Sequence, residues 1–241
     1  MIQESLQYLR NGDDPLKTVL IGGLLVILSP LLIPLFTLTG YILSVLRRTS
    51  NGDDTPPVFA EWVDTTIDGA KAWLVMFVYV VLPGIILTTA GALAVVSILS
   101  VSALPAELQA FAGILGFGTV ALLFLLGTIA ALAGLYITPA AVANYADTNS
   151  IRAGFALRTL WPVLTSREYL VGWLTAAVVI LVGSLAAGLV GSIPVAGFIV
   201  GAVVSFYALV SAYYIIGQTW EDVRPQLAEK NGQTTTEQAA V

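Results

Sequence analysis

The chain has 241 residues, 57% hydrophobic and 10% charged, against about 25% charged in an ordinary soluble domain, so a water-soluble fold is excluded. Cysteine and histidine are both absent, which removes disulfides, thiolate nucleophiles, zinc sites of the usual ligands, haem attachment and imidazole acid-base chemistry. The formal net charge of −5 and pI near 4.6 give no basic footprint of the kind that nucleic acid or an anionic membrane surface selects.

No charge occurs between Lys17 and Arg47, Lys71 and Glu107, Glu107 and Asp147, or Glu168 and Glu221. A helix rises about 1.5 Å per residue, so roughly 20 apolar residues cross a hydrocarbon core of about 30 Å. Each run is long enough to span. The expected class is an all-α, polytopic transmembrane bundle with 5–6 membrane passes and interfacial amphipathic helices, at the cell membrane.

Residues 1–15 read as an N-terminal interfacial segment ahead of a transmembrane domain over 16–217. The motif Asn-Gly-Asp-Asp occurs at Asn11 to Asp14 and again at Asn51 to Asp54. Its adjacent carboxylates lack the alternating spacing and terminal Glu of a calcium loop. Asn-Gly forms turns, and Asp14-Pro15 is the N-cap and first-position pattern of a helix. In the second copy Asp54 and Thr55 precede Pro56-Pro57, predicting a helix start there.

The first apolar run, 16–46, is broken by Pro30 and Pro34. As one helix it would measure about 43 Å. A returning hairpin bent at SPLLIP gives six passes and is the reading adopted; a single crossing gives five. Glu4, Asp13 and Asp14 precede the run and no basic segment opens the chain, so the run reads as retained rather than cleaved.

In the loop 47–71, the stretch VFAEWVDTTIDGAKAW places Glu61, Asp64, Asp68 and Lys71 at spacings of 3, 4 and 3, within about 80° of arc. Phe59, Trp62, Val63, Thr66, Ile67, Ala70 and Trp73 take the opposite face. Such a helix lies in the membrane interface or docks on the bundle. Its carboxylates are a solvated face or a cation or acid-base site.

The next spans are 73–103, kinked at Pro83-Gly84, and 108–138, weakening at Gly134 and Pro139. The loop 147–168 is expected to hold a second interfacial helix, capped by Thr148 or Ser150 and ended near Trp161-Pro162. Val190 to Pro194 is a turn signal separating spans 169–189 and 195–217. The tail 218–241 has few apolar residues and reads as disordered.

Basic residues of short loops mark the inner side. Arg47, Arg48 and Lys71 sit in one large loop, Arg152, Arg158 and Arg167 in the other, and Arg224 and Lys230 in the tail. Both loops and the C-terminus are therefore predicted cytoplasmic.

Ionisable residues inside spans mark transport or proton relay; these spans hold none. The polar candidates that remain are Tyr79 near the Pro83 kink, Thr88, Thr89, and Asn144 with Tyr145, for which hydroxyl-to-backbone bonding and interface anchoring are the simpler roles. Small residues four apart, such as Gly197 with Gly201 and Gly183 with Ala187, favour close helix packing in a compact bundle or an oligomer.

The segments GYILSVLRR, VFAEWVDTTIDGAKAW with VLPGI, and ITPAAVANYADTNSIRAGF resemble the archaeal membrane proteins of domain of unknown function 4013, common in halophiles. More distantly, the order of elements is similar to membrane domains of the glycerophosphodiester phosphodiesterase type. The resemblance covers roughly Pro15 to Gly217 and implies an all-helical membrane protein. It carries no established activity, since the hydrolase chemistry of the distant relatives belongs to a separate soluble domain.

Three functions remain: a non-catalytic protein that organises lipid or assists a partner complex, which is the leading reading; a carrier or channel for a small or lipidic solute; and, last, an intramembrane enzyme using Tyr or interface carboxylates. The expected partners are the lipid bilayer and a membrane protein or second copy, with no nucleic acid. No cofactor, metal or catalytic residue is assigned.

Overall fold

The computed structural model describes residues 1–194 and 196–239, with side chains described as far as Pro225. Among the described residues every regular element is helical: α1 (Ile2–Tyr8), α2 (Pro15–Ile27), α3 (Leu32–Thr49), α4 (Trp62–Met76), α5 (Leu82–Ser102), α6 (Ala106–Thr148), α7 (Ile151–Gly154), α8 (Leu157–Leu164), α9 (Arg167–Gly191) and α10 (Ala196–Ala239). A 3₁₀ turn, Leu9–Asn11, follows α1, and a π turn, Phe77–Val81, joins α4 to α5. Four helices are long and apolar enough to cross a membrane: Trp62–Ser102, Ala106–Thr148, Arg167–Gly191 and Ala196–Pro225. The chain divides into two units, Met1–Val75 with Pro139–Val241, and Met76–Thr138.

In the first unit α10 is the central helix. Of its most apolar stretch 56% is buried, against 11% for α9. The α9–α10 hairpin turns at Ser192 to Pro194, as the VGSIP signal predicts, and runs antiparallel with Gly172 facing Thr219 and Gly183 facing Ala208.

The first apolar run is not one helix. Asp14 caps α2 by accepting from the Lys17 amide at 3.2 Å, and Pro15 holds the first helical position. The helix stops after 13 residues, about 20 Å and short of a full crossing. Along α2, Gly22 meets Phe206 and Gly23 meets Val203, so α2 runs against the direction of α10. Along α3, Tyr41 stacks near Phe206 and Thr49 meets Gly217, so α3 runs with it. The two helices therefore form a hairpin whose bend, at Leu28 to Leu31, contains Pro30. Pro34, the other proline of the run, sits in the first turn of α3, where its missing N–H costs nothing.

Five sequence readings are corrected by the structure. Asp54 to Pro57 do not start a helix: residues 55–61 are irregular and α4 begins at Trp62. The amphipathic segment is not a separate interfacial helix either, because it continues without a break into α5, giving one helix of 41 residues. It packs through Gly69, Ala72 and Val75, and the expected docking face divides: Phe59 stacks on Tyr41, Thr66 bonds Thr37 and Trp73 meets Phe36, while Val63 (71% exposed) and Ile67 (48%) point outward. The reason is the crossing with α3. A Cβ at Gly40 would overlap the Thr65 carbonyl oxygen, and one at Gly69 the Phe36 carbonyl oxygen. Backbone contact that close selects the glycine face regardless of hydrophobicity.

The tail is the third correction. Residues 218–225 continue α10 and bury Trp220 and Val223, so no disordered segment begins at 218; the side chains of the expected tail from 226 to 241 lie outside the described residues. Residues 147–168 likewise hold two short helices, α7 and α8, rather than one. Ser150 is the N-cap of α7 but makes no side-chain cap bond, and α8 runs through Pro162 to Leu164.

The second unit is an antiparallel helix pair, with Gly127 against Leu87 and Gly116 against Ser97. Pro83 cannot donate a backbone hydrogen bond, and the π turn at Phe77–Val81 takes up the misfit just before it. Gly134 lets α6 approach there: a Cβ would overlap the Tyr79 carbonyl oxygen. Gly134 and Pro139 do not weaken α6, which is continuous over 43 residues.

Candidate polar site at one end of the first unit

The C-terminal end of α3 delivers Arg47 and Arg48 in its last turn. Arg47 is the centre of the site. Its Nη1 donates to Asp68 Oδ2 of α4 at 2.6 Å, its Nη2 to Asn149 Oδ1 at 2.5 Å, and its Nε to the Ala146 carbonyl of α6 at 3.3 Å. Asp68 also accepts from Lys71 Nζ at 3.2 Å. One planar guanidinium thus ties three segments distant in sequence, a task that suits its fixed fork of donors. Asn149 holds a positive φ of 53° to reach it, a conformation Asn tolerates better than most residues.

A second knot lies on the same helix ends. Arg224 Nη1 of α10 donates to Asp147 Oδ1 at 2.9 Å and to Asn51 Oδ1 at 3.2 Å. Asn51 Nδ2 in turn donates to the Arg47 carbonyl at 2.7 Å. Gly52 follows with φ +74°, the left-handed geometry for which glycine is the default. Asp53 accepts the Thr55 amide at 2.9 Å and Arg48 Nη1 at 3.3 Å. Hydrogen bonds from Thr55 hold its carboxyl below the usual range against the opposing effect of burial, with a lesser contribution from the Arg48 charge. Asp54 Oδ1 accepts from Tyr214 Oη at 2.8 Å, and Gln218 donates to the same hydroxyl at 2.7 Å. The second Asn-Gly-Asp-Asp copy is therefore a turn whose side chains fasten α3 to α10. The first copy works differently: its Gly12 is extended at φ −79°, and only Asp14 has a capping role.

Tyr8 adds the N-terminal helix to this end, its ring 4.6 Å from that of Tyr214 and its hydroxyl donating to the Thr55 carbonyl at 3.3 Å. Burial pushes its pKa well above the ordinary tyrosine range. The hydroxyl therefore stays a donor.

Of the residues singled out from sequence, Asp68 and Tyr145 come together around Arg47, with Tyr145 only 1% exposed in the field of the pair. Asn144 lies one position away and donates through Nδ2 to the Ala153 carbonyl at 2.9 Å, pinning α7 to α6. Glu61 and Asp64 do not join them; both are exposed and form no ion pair among the described residues. Tyr79 and Pro83 belong to the second unit, Pro83 buried and Tyr79 half-buried at the π turn. Thr88 Oγ1 bonds the Gly84 and Ile85 carbonyls of its own helix.

Asp147, Asn149 and Tyr214 were not singled out from sequence, and Arg47, Asn51, Asp54 and Arg224 were read only as loop charges or turn residues, not as parts of a site. The bonds that join them across helices reach partners 21 to 173 residues away, so no local spacing announces that assembly. The one available signal was Arg47 in the last turn of a helix, where a cation is favoured by the helix dipole.

A cavity of about 440 Å³ opens beside the α2–α3 bend, lined among others by Ser29, Pro30, Ser184, Gly188, Phe198 and Ser205. It contains no charged side chain. Ser205 Oγ donates to the Gly201 carbonyl of its own helix at 2.9 Å.

The family model described as "Protein of unknown function (DUF4013)" matches residues 23–193. Neither the curated proteins nor the solved structures contain a match to the chain. The chain belongs to the DUF4013 family, with the match reaching from the middle of α2 to the α9–α10 turn.

Proposed function

We propose that this family member is an integral protein of the cell membrane with a non-catalytic role, organising lipid or assisting a partner complex, and that loops 47–71 and 147–168 and the C-terminus face the cytoplasm. The observation that carries this reading is how the polar end is used. Its charges and amides bind one another: Arg47 to Asp68 and Asn149, Arg224 to Asp147 and Asn51, Tyr214 to Asp54. A catalytic group must be free to meet a substrate; these are committed to holding helix ends in register. What faces outward instead is a mixed surface at the start of α4, with Glu61 just before the helix and Asp64 on it beside Val63 and Ile67, suited to a membrane-protein partner or a second copy. The likeness to archaeal and halophile-associated members, and the distant one to glycerophosphodiester phosphodiesterase membrane domains, agrees with a membrane role without adding an activity.

The α2–α3 hairpin favours a second reading, a carrier for a small or lipidic solute. Broken helices line sites in transporters, and the hydroxyl-bearing cavity at this bend falls in the size range of ligand pockets, roughly 300–1,000 Å³.

Native mass spectrometry of the gently solubilised protein from its own host separates the two. A protein bound at fixed stoichiometry upholds the assisting role; one enriched metabolite or lipid with no protein partner replaces it with the carrier.

A further inference from the structure

Six of the seven arginines of the first unit fall into two groups, the seventh, Arg10, lying exposed in the turn that follows α1. Arg47, Arg48 and Arg224 are each paired with a carboxylate. Arg152, Arg158 and Arg167 are exposed and form no ion pair among the described residues. All three lie on the connection between two of the apolar helices, α6 and α9, with Arg167 the first residue of α9. Of the acidic residues that flank this connection, Asp147 is taken by Arg224 and Glu168 is exposed beside Arg167. From Thr148 to Arg167 every charge is positive.

The apolar side chains here are arranged to match. Helix α8 buries Leu160, Val163 and Leu164 and exposes Leu157, Arg158, Trp161 and its C-cap residue Thr165. At 100° per residue those four occupy about 100° of arc. Trp161 is 63% exposed and stands three residues, hence one turn, from Arg158. Phe155 and Leu157 are 39% and 45% exposed at the start of the same helix. An exposed tryptophan between cations at the end of an apolar helix has the composition of a headgroup-level anchor.

We propose that α7, α8 and the first turn of α9 form a docking surface for the phosphate groups of anionic lipids in the adjoining leaflet, with Arg152, Arg158 and Arg167 as the phosphate ligands and Trp161 inserted beside them. The acidic balance of the whole chain hides this surface, because Arg47, Arg48 and Arg224 are neutralised internally. The inference rests on the chain crossing the membrane and not on the partner-assisting role, so it survives if native mass spectrometry favours a carrier.

The test is native mass spectrometry of the full-length protein, delipidated in mild detergent and titrated separately with phosphatidylglycerol and phosphatidylcholine of identical chains. The wild type is expected to favour phosphatidylglycerol, and the triple variant R152Q/R158Q/R167Q to lose about 100-fold of that preference at low ionic strength, the conversion of roughly 1 kcal/mol per arginine at tenfold per 1.4 kcal/mol. The double variant R10Q/K17Q, which removes exposed cations elsewhere, should retain it. Matching melting curves show that the triple variant is folded; if it is not, the single variant R158Q, on an exposed helix face, should lower the preference several-fold. Equal affinity of the wild type for both lipids, or a preference that the folded variants keep, overturns the proposal. If the lipids are equivalent and crosslinking from Trp161 traps an acidic protein, the surface belongs to that protein instead.

Discussion

Removing the Arg47 side chain should destabilise the first unit more than any other single charge deletion. The substitution Arg47→Ala abolishes three hydrogen bonds, to Asp68, Asn149 and the Ala146 carbonyl, and leaves the Asp68 carboxylate with Lys71 alone. Hydrogen bonds to charged groups contribute about 1.5–3 kcal/mol each when buried, and exposed ion pairs about 0–1. The pair is 27% and 29% exposed, between those limits, so a loss of about 2–4 kcal/mol is expected. Equilibrium unfolding in mixed micelles, followed by tryptophan fluorescence, measures it. A double-mutant cycle with Asp68→Ala should give a coupling of about 1–2 kcal/mol. Arg47→Lys should recover less than half the loss, because one ammonium cannot reach all three acceptors, on α4 and at the end of α6, in a fixed fork. A coupling below about 0.5 kcal/mol, or full rescue by lysine, would show that the guanidinium is a surface charge and that the helix ends are held by something else.

Four further outcomes follow from the packing. Gly69→Ala forces a Cβ onto the Phe36 backbone and should cost about 1–3 kcal/mol in the same unfolding assay, whereas Gly118→Ala, with nothing within 4 Å of the new Cβ, should be neutral within about 0.5 kcal/mol. Tyr169→Phe removes the hydroxyl that accepts the Ala140 amide at 3.2 Å just after Pro139, and should cost about 1–3 kcal/mol by stranding a buried donor. Tyr41→Phe should be neutral or stabilising, since the Tyr41 hydroxyl is buried with no hydrogen-bond partner among the described residues, while its ring keeps the stack on Phe59 at 4.3 Å. For Asp53, whose carboxyl is held below the usual range, the sign of the linkage is that its stabilisation is present above the unfolded pKa of about 4 and fades as pH falls through the folded value; thermal melts should show Asp53→Asn less stable than wild type at neutral pH and equal to it in acid.

How far the sequence could be read depends on the range of the interactions that decide each feature. Helix positions follow from runs of apolar residues, and the hairpin bend at Leu28 to Leu31, the turn at Ser192 to Pro194 and the Asp14 cap were each legible from a few neighbouring residues. The face that α4 presents was not. Hydrophobic period gave a face of which Phe59, Thr66 and Trp73 do meet α3 but Val63 and Ile67 do not, because a helix beside lipid loses little by exposing apolar side chains and the closest contact went to Gly69 against Gly40, where backbones can approach. The same reversal accounts for the end of α10: Trp220 and Val223 are two apolar residues in a polar stretch, too few to predict an ordered helix, but α10 is already central and needs only those two to extend its packing. The Arg47 and Arg224 knots were illegible for a different reason. In a chain with 25 charged residues, topology counts them only by side of the membrane, whereas the fold distinguishes those that tie helix ends together from those left outside. That division, and not the net charge of −5, determines which surface can meet an anion, and it places the unpaired arginines on α7, α8 and α9 alone among the connections of the first unit that follow α3.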